Sequence, residues 1–119
     1  MGRRLPTVND AVAEAACCKP SVAPSRSRTS REGQAKLFKA LGDETRLEIV
    51  EMLAATDGEI CACEFEARFD LSQPTISHHL KVLREVGLIT GERRGTWVYY
   101  TLVRERLRDL TAFHALVSR

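Results

Sequence analysis

Two tight pairs account for all four cysteines of this 119-residue chain: Cys17-Cys18, and the two thiols of Cys61-Ala62-Cys63. Thiolate sulfur is a soft donor that selects soft ions, and it is also a group that oxidises reversibly. Cys17 and Cys18 are adjacent and could bond to each other only in a strained ring. In a reducing compartment such pairs point to ion capture or redox chemistry rather than structural disulfides. Inert burial suits a lone cysteine in an apolar core better than two pairs in polar surroundings. Three sulfurs suit a pyramidal As(III) or Sb(III) centre, four suit tetrahedral Cd(II), and Pb(II) accepts either number. Four cysteines leave these open, and neighbouring thiols lean toward the trivalent ions.

A second constellation is polar. Gln73, Thr75, Ser77, His78, Lys81 and Arg84 recur opposite an apolar stripe of Ile76, Leu80 and Leu83, with His79 beside the stripe and Ser72 at the helix start. Short hydrogen-bonding groups can reach base edges, while cations and a helix N-terminus hold phosphates. Arg93 and Arg94 precede Gly95 and put two more cations at the tip of an expected hairpin.

These groups need elements to position them. Residues 1–30, with Pro20, Pro24 and the stretch Ser25–Ser30, read as an arm bearing one cysteine pair, with at most a short helix over Val8–Ala16. Residues 31–119 read as the folded domain. Leu37, Phe38 and Leu41 make a short apolar face ended by Gly42. Asp43 is suited to cap a helix from Glu44 to about Ala55, with Leu47, Val50 and Leu53 on one stripe. Asp57-Gly58 is a turn, and Ile60–Phe69 reads as a third short helix. Ser72 caps a fourth helix, Pro74 sits in its first turn, and Gly87 is placed to end it in the left-handed conformation. Leu88–Arg93 and Thr96–Leu102 read as strands joined at Arg94-Gly95, and about Val103–Val117 as a last helix.

The expected fold is therefore mainly α with a small β-hairpin: a winged helix-turn-helix whose second helix enters the major groove of double-stranded DNA. The net charge of +2 does not by itself announce nucleic acid. Five of the basic residues fall within residues 1–30, so the remainder is near neutral and a DNA-binding face must come from local clustering. No apolar run approaches the roughly 20 residues of a membrane span, and the basic start is not followed by the apolar stretch of a secretory signal. A cytoplasmic protein is the expectation.

Three stretches resemble the ArsR/SmtB family of dimeric winged-helix repressors that sense metals and metalloids. They are Phe38-Lys39-Ala40-Leu41-Gly42-Asp43-Glu44-Thr45-Arg46-Leu47, then Leu71-Ser72-Gln73-Pro74-Thr75-Ile76-Ser77-His78-His79-Leu80, then Leu83-Arg84-Glu85-Val86-Gly87-Leu88-Ile89. The likeness covers roughly residues 34–105. It implies a homodimer that binds operator DNA with no cofactor and is released when an ion binds. Cys61-Ala62-Cys63 resembles the family's Cys-x-Cys box. Arsenic sensors of the family can carry a third cysteine three residues after the second; here that position is Glu66. Other members supply thiols from an N-terminal arm, a role that Cys17 and Cys18 match.

Helix geometry supports the need for extra ligands. Residues i and i+2 of a helix point about 200° apart, so Cys61 and Cys63 could share an ion only at a frayed first turn. A helix N-terminus would also favour thiolate. From Cys18 to Gln34 the arm could reach this helix in either subunit at ~3.3 Å per extended residue. The metal ligands expected are thus Cys17, Cys18, Cys61 and Cys63, with As(III) or Sb(III) as inducer and Cd(II) or Pb(II) as the alternative.

Asp109 and His114, five apart on the last helix, point about 140° from each other and make a poor Zn(II) pair. The apolar face of that helix is expected to be a dimer seam, and Trp97, Tyr99 and Tyr100 to pack within strands. A thiol redox sensor on the same DNA module is the alternative function. An enzyme is not indicated: there is no nucleotide loop, no acid/base pair and no Cys-x-x-Cys before a helix.

Overall fold

A computed structural model describes residues 28–118. Cys17, Cys18 and the expected helix Val8–Ala16 lie outside the described residues. The elements are α1 (Arg28–Leu41), α2 (Glu44–Ala54), β1 (Ile60–Cys61), α3 (Ala62–Arg68), α4 (Gln73–Glu85), β2 (Ile89–Arg94), β3 (Trp97–Leu102), a 3-10 turn (Arg104–Leu107) and α5 (Arg108–Val117). This is the expected mainly helical chain with a small hairpin. α1 begins at Arg28 and so takes in residues read from sequence as the end of the arm.

Local signals set the helix ends. The Asp43 side chain accepts from the Arg46 amide at 3.1 Å and caps α2. Ser72 Oγ accepts from the Thr75 amide at 3.3 Å and caps α4. At the other end of α4, Gly87 adopts a φ of 83°. Its amide donates to the Arg84 carbonyl and the Leu88 amide donates to Leu83, both at 3.0 Å, which closes a Schellman motif.

The core is built from Leu37 and Ala40 of α1, Ile49, Val50 and Leu53 of α2, Phe65 of α3, and Ile76, Leu80 and Leu83 of α4. Ile60, Leu88, Ile89, Tyr100 and Leu102 complete it from the sheet side. Two expected core positions differ. Leu47 is 44% exposed, because α2 turns Ile49 rather than Leu47 toward its neighbours. Phe38 is 42% exposed and meets the edge of Phe113, ring centroids 5.2 Å apart. Buried Gln34 donates to the Asp109 carbonyl, tying α1 to α5.

The sheet has three antiparallel strands in the order β1-β3-β2. Ile60 and Cys61, expected in a helix, instead pair with Tyr100 and Tyr99, so α3 starts at Ala62. Arg94 pairs with Trp97, which places the hairpin turn at Gly95-Thr96, one residue later than expected. Gly95 has a φ of 66° and is the first central residue, the position where a II′ hairpin turn needs glycine. The last helix begins as a 3-10 turn, and Arg104 there caps α2 by donating to the carbonyls of Ala54 and Thr56.

Candidate nucleic-acid interface and thiol site

Burial of Ile76, Leu80 and Leu83 leaves Gln73, Ser77, His78, Lys81 and Arg84 exposed on the far side of α4. Ser72 is exposed and Thr75 half-buried; their hydroxyls lie 2.9 Å apart, so both take part in the cap. A groove of about 530 Å³ runs from His78 to α1 and is lined by Lys36, Lys39, Arg46 and Glu85 among others. Lys36, Lys39 and Arg46 were missed from sequence, since nothing local signals that α1 and α2 approach α4 on that side.

His79 departs from the expected reading face. Its side chain is only 12% exposed. It follows Ile76 by three residues and precedes Leu83 by four, which turns it within about 60° of the apolar stripe. Arg46 Nη1 donates to His79 Nδ1 at 3.1 Å, and Asp43 Oδ2 lies 3.8 Å away. Arg46 also donates from Nε to the Ala40 carbonyl at 2.6 Å. His79 therefore braces α4 against the α1–α2 corner. Burial pushes its pKa down, Asp43 pulls the other way, and Arg46 and His78 add to the lowering. The Asp43 carboxyl is itself held below its ordinary value, chiefly by the Arg46 amide.

The two wing arginines also separate. Arg93 is exposed on the hairpin. Arg94 reaches across the sheet instead: Nη1 and Nη2 clasp the two carboxylate oxygens of Glu59, the latter at 2.9 Å, and Nη2 also donates to Glu92 at 2.7 Å. Its guanidinium carbon stands 4.7 Å from the Tyr99 ring centre. Arg94 is committed to protein partners and is not the free cation expected at the tip. Glu59 was missed from sequence because its partner is 35 residues away. Trp97, expected to pack within the strand, is 50% exposed and lines a cleft of about 220 Å³ with Glu66, Gln73, Ser77 and Arg93.

Cys61 and Cys63 are brought together. Cys61 has extended backbone (φ −73°, ψ 143°) and stands at the N-cap of α3, so helical i, i+2 divergence does not apply to it. The Cys63 thiol donates to Cys61 Sγ at 2.9 Å. Cys61 is buried and Cys63 half-buried. The helix N-terminus does not dominate the thiol chemistry: the hydrogen bond to Cys61 raises the Cys63 pKa, helped by desolvation and by the charges of Cys61 and Glu64. Two converging soft sulfurs fit a thiophilic ion. Among the described residues no third His, Cys, Asp or Glu joins them in a metal-sized cluster. His114 is exposed beside Ser118, whereas Asp109 pairs with Arg106, so these two do not meet.

Residues 43–90 match the family described as bacterial regulatory protein, arsR family. The arsenical resistance operon repressor of Bacillus subtilis is 44% identical over 73 residues, which span 61% of this chain and 69% of that one. The chain belongs to the arsR family. The Escherichia coli repressor of the same description is 51% identical over 67 residues, 56% of each chain, so the match spans about half of that relative. An ArsR-like transcriptional regulator from Rhodococcus sp. RHA1 superposes with a TM-score of 0.64 at 26% identity, covering 76% of this chain and 83% of that one. The ArsR fold and its winged helix-turn-helix follow, as does the class of protein: a DNA-binding transcriptional regulator, not an enzyme. Among the described residues of this ArsR protein, no helix is long and apolar enough to cross a membrane.

Proposed function

We propose that this ArsR protein represses transcription as a homodimer and leaves its operator when As(III) or Sb(III) binds its cysteine thiolates. The observation that carries the reading is the 2.9 Å approach of Cys63, in the first turn of α3, to Cys61, on the strand paired directly to β3 of the wing. Cys17 and Cys18 supply the remaining thiolates, from the same or the partner subunit. Gln73, Ser77 and His78 read base edges, Lys81, Arg84 and Arg93 hold phosphates, and Ser72 and Thr75 present the helix N-terminus to the backbone. His79 holds α4 in place. The exposed Phe38, Phe113 and Val117 form the dimer seam. An ion that prefers the free dimer must weaken DNA binding by the same factor.

The test is fluorescence anisotropy of the reduced protein on an operator fragment, titrated with As(III), Sb(III), Cd(II), Pb(II) and Zn(II). Cys17→Ser/Cys18→Ser and Cys61→Ser/Cys63→Ser variants run beside it. Release by As(III) at the lowest concentration, abolished in both variants, is the expected result. Release first by Cd(II) or Pb(II) selects the four-thiolate alternative. Release by oxidant and by no ion selects the redox alternative, which the same short sulfur separation supports.

A further inference from the structure

Cys61 is joined to the wing by two independent routes. The first is backbone: Cys61 pairs with Tyr99, and Tyr99 pairs on its other side with Glu92, so the three form one row across the sheet. Residues directly opposite in such a ladder share a face. The second is ionic: Glu59, two residues before Cys61, is clasped bidentately by Arg94, which is also bound to Glu92 and lies against the Tyr99 ring. Arg94 is the last residue of β2, next to the turn at Gly95. The segment that carries the buried thiol is thereby strapped to the tip of the element that approaches DNA.

We infer that Arg94 is a positioning residue: with Glu59 it transmits the state of the Cys61–Cys63 pair to the wing, and it does not contact DNA phosphate. The inference rests on the proposed thiol-gated release. β1 is only two residues long, so few backbone bonds hold it, and an ion that draws Cys61 toward further sulfurs displaces Glu59 with it. Because Arg94 bonds both carboxylate oxygens and is flanked by a second carboxylate and a ring, the hairpin tip follows. A single-point ion pair between exposed side chains would slip; a two-point clasp fixes orientation as well as distance. Arg93, one residue earlier and exposed, would then swing relative to α4.

The experiment compares the full chain as wild type, Glu59→Gln, Arg94→Gln and Arg93→Gln. Operator affinity is read across salt concentrations with and without As(III), and As(III) affinity is read directly from thiolate absorbance. Glu59→Gln and Arg94→Gln are expected to bind operator within about threefold of wild type with an unchanged salt slope. They should also bind As(III) normally, yet lose tenfold or more of the ratio between operator affinities without and with As(III). Arg93→Gln should lose affinity and salt slope while keeping that ratio. A salt slope that drops in Arg94→Gln, or operator binding that tightens in Glu59→Gln as a freed cation meets phosphate, overturns the inference. So does an unchanged ratio in either latch variant, and in that case the proposed function stands. A wild type that no ion releases removes the proposed function itself.

Discussion

Gly91 faces Tyr100 across the β2–β3 ladder so closely that a β-carbon at Gly91 would stand 2.9 Å from Tyr100 Cε1. Tyr100 cannot yield: it is 7% exposed, with its ring centre 6.4 Å from that of fully buried Phe65. Gly91→Ala should therefore destabilise the fold by about 1–3 kcal/mol, the usual cost of overpacking. Gly58→Ala is the control, since nothing lies within 4 Å of a β-carbon there. Thermal denaturation separates them; equal melting temperatures would mean that the sheet relaxes around the added methyl.

His79 should make the fold sensitive to mild acid. Its pKa lies below the ordinary 6.5 because burial disfavours the charged ring. A depressed value means that the unfolded chain binds the proton more readily. The contribution is thus complete above pH 6.5 and is lost as pH falls through the folded-state value. Asp43, also depressed, acts with the same sign but below its ordinary 3.8. Urea midpoints should fall between pH 7 and 5, and His79→Gln should flatten that fall. A His79 resonance titrating above 6.5 by NMR would contradict the burial argument.

On operator DNA, the exposed cations should separate from the polar groups. Arg93→Ala, Lys81→Ala and Arg84→Ala are each expected to weaken all sequences alike and to lower the salt slope by about 1 for each phosphate left without its cation. Gln73→Ala should instead narrow the gap between operator and mutated operator, by about 1–3 kcal/mol at the affected base pair. An unchanged slope in Arg93→Ala would place the wing off the backbone.

The aromatic pair Phe38–Phe113 stays 42% and 36% exposed although its rings touch. A second subunit covering this face is the expected reason. Phe113→Asp should give a monomer by sedimentation velocity, with helical content retained and operator affinity reduced at least tenfold. A dimer surviving that charge would move the seam elsewhere.

What the sequence by itself determined is the part governed by short-range physics. Asp43 and Ser72 cap because a carboxylate or hydroxyl can reach an amide three residues on. Gly87 ends α4 because it tolerates a positive φ, and Ile76, Leu80 and Leu83 share a face because the helix repeats every 3.6 residues. These were enough to place the helix-turn-helix and most of its outward-facing polar residues. Only the tertiary structure decided the rest. Ile60 and Cys61 leave the expected helix because β3, some 40 residues later, offers them a pairing edge, and that change brings Cys61 onto Cys63. Arg94 is bonded rather than free at the hairpin tip because Glu59 and Tyr99 lie across the sheet from it. In each case a partner distant in sequence outweighs the local pattern, since burial and charge pairing depend on which surfaces the fold brings face to face.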